Sequence, residues 1–238
     1  MSTGMRQIFN SDLRSNSSVQ TEQLGAVAGD AYGRQFRYGK AGASNIGAGL
    51  LTVRPANVAN HVNRTIAGTV AAGVTEVTLN VGATAVTAGQ YEQGLLNIND
   101  ATGEGYEYRI KGHTTSAGST AITVSLEEPI QSALTVSVSE ASLVKNPYDS
   151  VVTSATLAKA AGVTKSALTA AYHGWLAVEG EATVLSDGGI TLAKGVIQSD
   201  AVAGAVEIAA AATDQVLGWV SALSVDTEYR LVNLSIRG

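Results

Sequence analysis

The side chains that most often carry chemistry are sparse in this sequence and stand apart. Its 3 histidines, His61, His113 and His173, have no second histidine or carboxylate at metal-ligand spacing. Gly33 to Lys40 has the outline of a phosphate-binding loop, but five residues separate the glycines where four are needed, and Ala41 stands where Ser or Thr would hold magnesium. Gly42-Ala43-Ser44-Asn45-Ile46 begins like a nucleophile elbow and ends without its glycine. Glu127 and Glu128 are neighbours at an expected strand end, where adjacent side chains diverge, so they make a poor acid/base pair. Asn97, Asn99, Asp100 and Glu104 offer oxygens of the kind calcium takes, yet their spacing fits no calcium loop and a hairpin turn explains them. Trp175 and Trp219 each follow a glycine; core packing is the expected role, and a glycan-stacking platform is the alternative. With no cysteine, disulfides, thiol nucleophiles and Cys-ligated zinc are excluded. The expectation is a chain with no catalytic, metal-binding or cofactor-binding residues, and no enzyme.

Composition narrows the partners. Only 15% of the 238 residues are charged, against roughly 25% in ordinary soluble domains, so much of the surface must be small polar residues or partner protein. The net charge of −5 leaves no surplus of Lys and Arg to displace counterions from a duplex, which argues against nucleic acid. No apolar run approaches the ~20 residues of a membrane span, and the polar N-terminus has no apolar core of a signal peptide. The Asn-x-Ser/Thr triplets at Asn16, Asn63 and Asn233 therefore have no secretory context.

Elements that could position any site are strands. Val77, Leu79 and Val81 alternate with polar residues, as do Tyr106, Tyr108 and Ile110, then Ile122, Val124 and Leu126, then Leu134, Val136 and Val138, and near the end Val232, Leu234 and Ile236. Successive strand side chains face opposite ways, so each segment has one face to bury and one to wet. Turn residues agree: Asn99-Asp100-Ala101-Thr102-Gly103, Ser116-Ala117-Gly118-Ser119 and Ser186-Asp187-Gly188-Gly189 separate apolar segments. The expected class is all-β, mainly antiparallel, with a β-barrel or β-tulip-like domain, a second sandwich-like β domain and little helix. Short helical turns are expected in Ala155 to Ala171, broken at Gly162, and in Ala56 to Asn63.

Residues 1–23 have no sustained period and read as an N-terminal arm, extended or disordered until docked. Arg6, Ile8, Phe9, Leu13 and Arg14 are its candidate partner-binding residues, apolar anchors beside groups that can pair with carboxylates. Beyond the arm lie a β domain over 24–149 and a β-barrel domain over 150–238. The echo between Phe36-Arg37-Tyr38 with Gly47 to Val53, and Gly174 to Val178 with Leu192 to Ile197, leaves two arrangements open. Either the domains are separate, or residues 30–56 complete the C-terminal barrel and residues 57–149 are an insertion; the insertion is preferred.

Several stretches resemble head-decoration or structural proteins of tailed bacteriophages (Caudoviricetes). They include Asp30 to Gly42, Ala48 to Leu51, Asn97 to Tyr106, Val144 to Tyr148 and Tyr172 to Trp175. Gly204 to Glu207, Val216 to Val220 and Asp226 to Tyr229 continue the series, and their order carries more weight than any one of them. The resemblance covers most of the chain after the arm. It implies a capsid decoration (cement) protein, made in the host cytoplasm and located on the outer surface of the head. It further implies a homotrimer seated between major capsid protein subunits, with the arm reaching onto the shell. Another virion role, in a head fibre, tail or baseplate with a host glycan as ligand, is the alternative.

Overall fold

The computed structural model describes residues 5–189, 191–211, 214–223 and 225–236. It is nearly all β, and its strands form two sheets that belong to two compact units. The outer unit is Met1–Pro55 with Pro147–Gly238, and the inserted unit is Ala56–Asn146. In the outer unit, β1 (Arg6–Gln7), α1 (Asn10–Leu13), β2 (Val27–Gly29), β3 (Gln35–Lys40) and β4 (Leu51–Val53) come first. The inserted unit then supplies β5 (Arg64–Thr65), β6 (Glu76–Asn80), β7 (Leu95–Asp100), β8 (Glu107–His113), β9 (Ala121–Leu126) and β10 (Glu140–Val144). The outer unit resumes with β11 (Ala160–Thr164), β12 (His173–Leu185), β13 (Gly195–Gln198), β14 (Val206–Ile208), β15 (Gly218–Val220) and β16 (Tyr229–Ser235).

The six strands of the inserted unit run in the order β5-β10-β7-β8-β9-β6. Ile66 pairs antiparallel with Leu79, and the Ala67 amide donates to the Thr78 carbonyl at 2.8 Å. These contacts join the two sheet edges into a nearly closed antiparallel barrel. Closure removes edges that could recruit other chains. The inward positions of the period-2 pattern, Val77, Leu79, Leu96, Ile98, Tyr108, Ile110, Ile122 and Val124, form its core. Leu134 to Val138 departs from the expected strand. Leu134 makes one bridge, to Val70, while Val136 and Val138 are exposed. Here Ser139 wins over the ladder: its hydroxyl accepts from the Thr135 amide at 3.0 Å and donates to the Thr102 carbonyl at 2.8 Å. Such local side-chain bonds favour turns over strands.

In the outer unit the sheet order is β1-β2-β3-β12-β16-β15-β13-β14, with β11 between β12 and β4. The 13-residue β12 organises it. Its first half pairs with β3, Trp175 opposite Tyr38, and its second half with β16, Glu181 opposite Asn233. The register slips between Ala177 and Glu179, and Gly180 follows with φ +83°, where a side chain would collide with Arg34. The Asp187 amide donates to the Val206 carbonyl at 2.9 Å, returning β14 to the end of β12 so that the C-terminal strands curl on themselves. Val53 and Val152 pair directly, so the backbone that leaves for the inserted unit and the backbone that returns are neighbours.

The expected helical turns over Ala155 to Ala171 are corrected to strand β11. Ala160 and Ala161 are buried, and the strand is held by β4 and β12 on either side. Alanine's helix propensity is a weak prior that such packing overrides. Ala56 to Asn63 holds a single 3₁₀ turn, Ala59–His61. Among the described residues, no helix is long and apolar enough to cross a membrane.

Candidate partner-binding surface

The N-terminal segment from Met5 onward is folded, which corrects the expectation of an arm extended until docked. Arg6 and Gln7 pair in parallel with Ala28 and Gly29 of β2, and the Ile8 amide donates to the Gly29 carbonyl at 2.9 Å. Ile8 and Leu13 are buried in the core of the outer unit, so neither is available as an anchor for a partner. The chain turns between them because the Asp12 carboxylate accepts from the Phe9 amide at 3.3 Å, an N-terminal cap for α1. Ser17 then exchanges both backbone hydrogen bonds with His173 at 3.0 and 2.8 Å, tying the segment to the start of β12.

This anchoring divides the five candidates. Ile8 and Leu13 hold the segment down, whereas Arg6, Phe9 and Arg14 are displayed, Phe9 at 62% exposure. Arg6 forms an ion pair with Glu22, and its guanidinium lies 5.7 Å from the centre of the Trp175 ring. Trp175 is only 7% exposed, which places it in the core and removes it as a glycan platform. Glu22 is not indicated by spacing, and Trp175 only as a core or stacking residue, since both meet Arg6 only through the fold. A cavity of about 280 Å³ sits beside this cluster, lined by Arg6, Asp12, Asn16, Glu22, His173 and Trp175.

Electrostatics separates the charged groups near this segment. Burial depresses the His173 pKa below its ordinary value; the bond to the Ser17 carbonyl and Asp149 oppose this, while Lys40 adds to it. Burial also depresses Lys165, with Arg34 and Arg14 adding to the shift and Asp30 opposing it. Asp30 runs the other way. Burial would raise its pKa, but the Arg34 guanidinium and the amides of Arg34 and Tyr32 outweigh it and hold the carboxyl low.

The His173 shift has a direct consequence for stability. The unfolded chain takes up a proton near pH 6.5, whereas the folded chain resists until lower pH. Its neutral form therefore supports the fold fully above pH 6.5, and that support drains away as pH falls through the interval down to the folded-state pKa. Urea unfolding midpoints are expected to fall between pH 7.5 and pH 5, with a shallower fall in His173→Gln. An equal slope in both proteins would show that His173 is not responsible.

Other sequence candidates fall elsewhere. Gln35–Lys40 of the would-be phosphate loop is strand β3. His61 is fully buried in the inserted unit, with Nδ1 2.6 Å from the Tyr91 hydroxyl and Nε2 2.9 Å from the Thr84 carbonyl. The carbonyl can only accept, so Nε2 carries the proton and Tyr91 donates to Nδ1. Desolvation raises the Tyr91 pKa to about 12, with a bond from Gln90 opposing it, in keeping with a hydroxyl that stays protonated. Asn99, in β7, is tied to its neighbours in the sheet, its side-chain oxygen accepting from Ser142 of β10 at 2.9 Å and its amide donating to Asn63. Among the described residues, no three His, Cys, Asp or Glu side chains converge as a metal site. The chain matches no protein-family model, no curated protein and no solved structure.

Proposed function

We propose that this protein is a non-enzymatic structural component of a tailed-phage head, one that decorates the outer capsid surface and stabilises the expanded shell. The observation that carries this reading is the N-terminal segment, which is anchored by buried Ile8 and Leu13 while it displays Phe9 and Arg14. An exposed aromatic ring and an exposed cation on one short, pre-ordered stretch of backbone are the residue types that bind a protein surface at low entropic cost. The ordered resemblance to head-decoration proteins and the low charge content point the same way. A cement protein needs a firm body and a contact face, and it stabilises the lattice it binds by mass action. Several such contacts on one oligomer, the homotrimer of this reading, would multiply weak binding by raising effective concentration.

The test uses substitution in place of deletion, because removing Ile8 and Leu13 would open the core. The double variant Phe9→Ala, Arg14→Glu is expected to keep its thermal melting point and to lose at least tenfold in occupancy on undecorated heads. Full occupancy by the folded variant would overturn the assignment of these two residues as the contact.

A further inference from the structure

We infer that the outer face of β12, β16 and β15 carries a binding site for a neutral linear oligosaccharide, independent of the capsid contact. Glu181 pairs across the sheet with Asn233, and Asn233 with Trp219, so these three stand in one row on the outward side. Neighbouring strands are about 4.8 Å apart, which makes the row roughly 10 Å long, the length of two linked pyranose rings.

Both ends of the row carry an exposed aromatic. Trp219 is 55% exposed because Gly218 and Val220 on either side of it face inward. At the other end Tyr32 is 83% exposed at the tip of the β2–β3 turn. That tip is rigid. The Asp30 carboxylate accepts from the amides of Tyr32 and Arg34 at 2.9 and 3.0 Å and from Arg34 Nε at 2.7 Å. The Arg34 guanidinium lies 5.7 Å from the Tyr32 ring, packing one face and leaving the other to solvent. Between the tip and the strands is an open cavity of about 500 Å³ lined by Tyr32, Arg34, Gly180, Glu181 and Asn233.

The polar groups fit hydroxyl ligands. One Glu181 oxygen accepts from Ser221 at 2.8 Å, while the other is buried and has no hydrogen-bond partner among the described residues. The Asn233 side-chain amide, exposed beside it, offers both a donor and an acceptor. A sugar ring presents apolar C–H faces to aromatic rings and hydroxyls to planar amide groups, and this row has both, in Trp219 and Asn233. An anionic sugar is disfavoured, because Glu181 would repel it and Arg34 is already engaged by Asp30.

The experiment is a titration of the whole protein with maltotriose, cellotriose and chitotriose, and with 3′-sialyllactose as the acidic comparison, read by intrinsic tryptophan fluorescence and by calorimetry. At least one neutral trisaccharide is expected to bind more tightly than the acidic one and to perturb the exposed tryptophan. Trp219→Ala and Tyr32→Ala should each weaken binding at least tenfold with the melting temperature retained. No binding by any neutral trisaccharide at 10 mM (about the weakest affinity of interest,) overturns the site, as does binding indifferent to both substitutions. Concentration-dependent association that Trp219→Ala abolishes, without sugar binding, would also overturn it, by making the row a protein contact.

Discussion

Replacing Gly162 by alanine is expected to lower the stability of the outer unit by about 2–4 kcal/mol. Gly162 lies in β11 with φ +151°, a backbone conformation that residues with a side chain rarely adopt. A methyl group there would sit 2.8 Å from the Leu176 Cβ and 3.0 Å from the Ala177 carbonyl oxygen. Neither neighbour can yield easily. Both belong to β12, both are buried, and the adjacent Val163 and Thr164 pair with them across the sheet. The Gly162 carbonyl is also fixed by the Thr52 hydroxyl at 2.7 Å. Gly33→Ala separates the two contributions, since Gly33 has positive φ but open space around it, and should cost only about 1 kcal/mol. Urea denaturation monitored by tryptophan fluorescence reports on this unit, because Trp175 and Trp219 both lie in it. Equal losses in the two variants would mean that crowding at Gly162 is relieved by backbone movement.

Arg230→Met is expected to act in the opposite direction and raise stability by about 1–3 kcal/mol. Arg230 occupies an inward position of β16 and is only 2% exposed, in line with Val232 and Leu234. Its Nη2 donates to the Gly188 carbonyl at 3.1 Å, while Nε and Nη1 have no partner among the described residues. Burial pushes the guanidinium below its ordinary pKa range, with Asp226 pulling the other way. A buried cation so poorly supplied with acceptors costs more in desolvation than its one bond returns. Methionine fills comparable volume with an adaptable, uncharged chain. A higher melting temperature for Arg230→Met is the expected reading; a lower one would show that the charge is compensated in solution.

How much of this was legible in the sequence depends on whether the signal was local. The strands of the inserted barrel were, because Val77, Leu79, Ile122 and Val124 alternate strictly and each is buried. The two tryptophans show the limit. Both sit in Gly-Trp pairs and invited one reading, yet Trp175 lies under Arg6 in the stretch of β12 buried on both faces, and Trp219 stands in solvent. What differs is whether a second layer covers the strand, and no local pattern encodes that. The N-terminal segment failed for a related reason. Ile8 and Leu13 share no helical or strand period, since one follows a strand and the other ends a helical turn, and both are buried in a core built largely from later strands. Among the candidate contact residues, exposure of Phe9 follows from the turn that Asp12 caps, a relation that type and spacing do suggest in hindsight.

The direct pairing of Val53 with Val152 bears on how the polypeptide matures during translation. The interrupted half must wait, with β1 to β4 already made, until the ribosome has delivered everything up to β11 and beyond. At translation speeds of about 5–20 residues per second, that delay is on the order of ten seconds. The inserted barrel draws all its strands from one uninterrupted stretch and is free to fold within it. A ribosome stalled shortly after Pro147 clears the exit tunnel should therefore carry a protease-resistant core next to a still-cleavable leading segment.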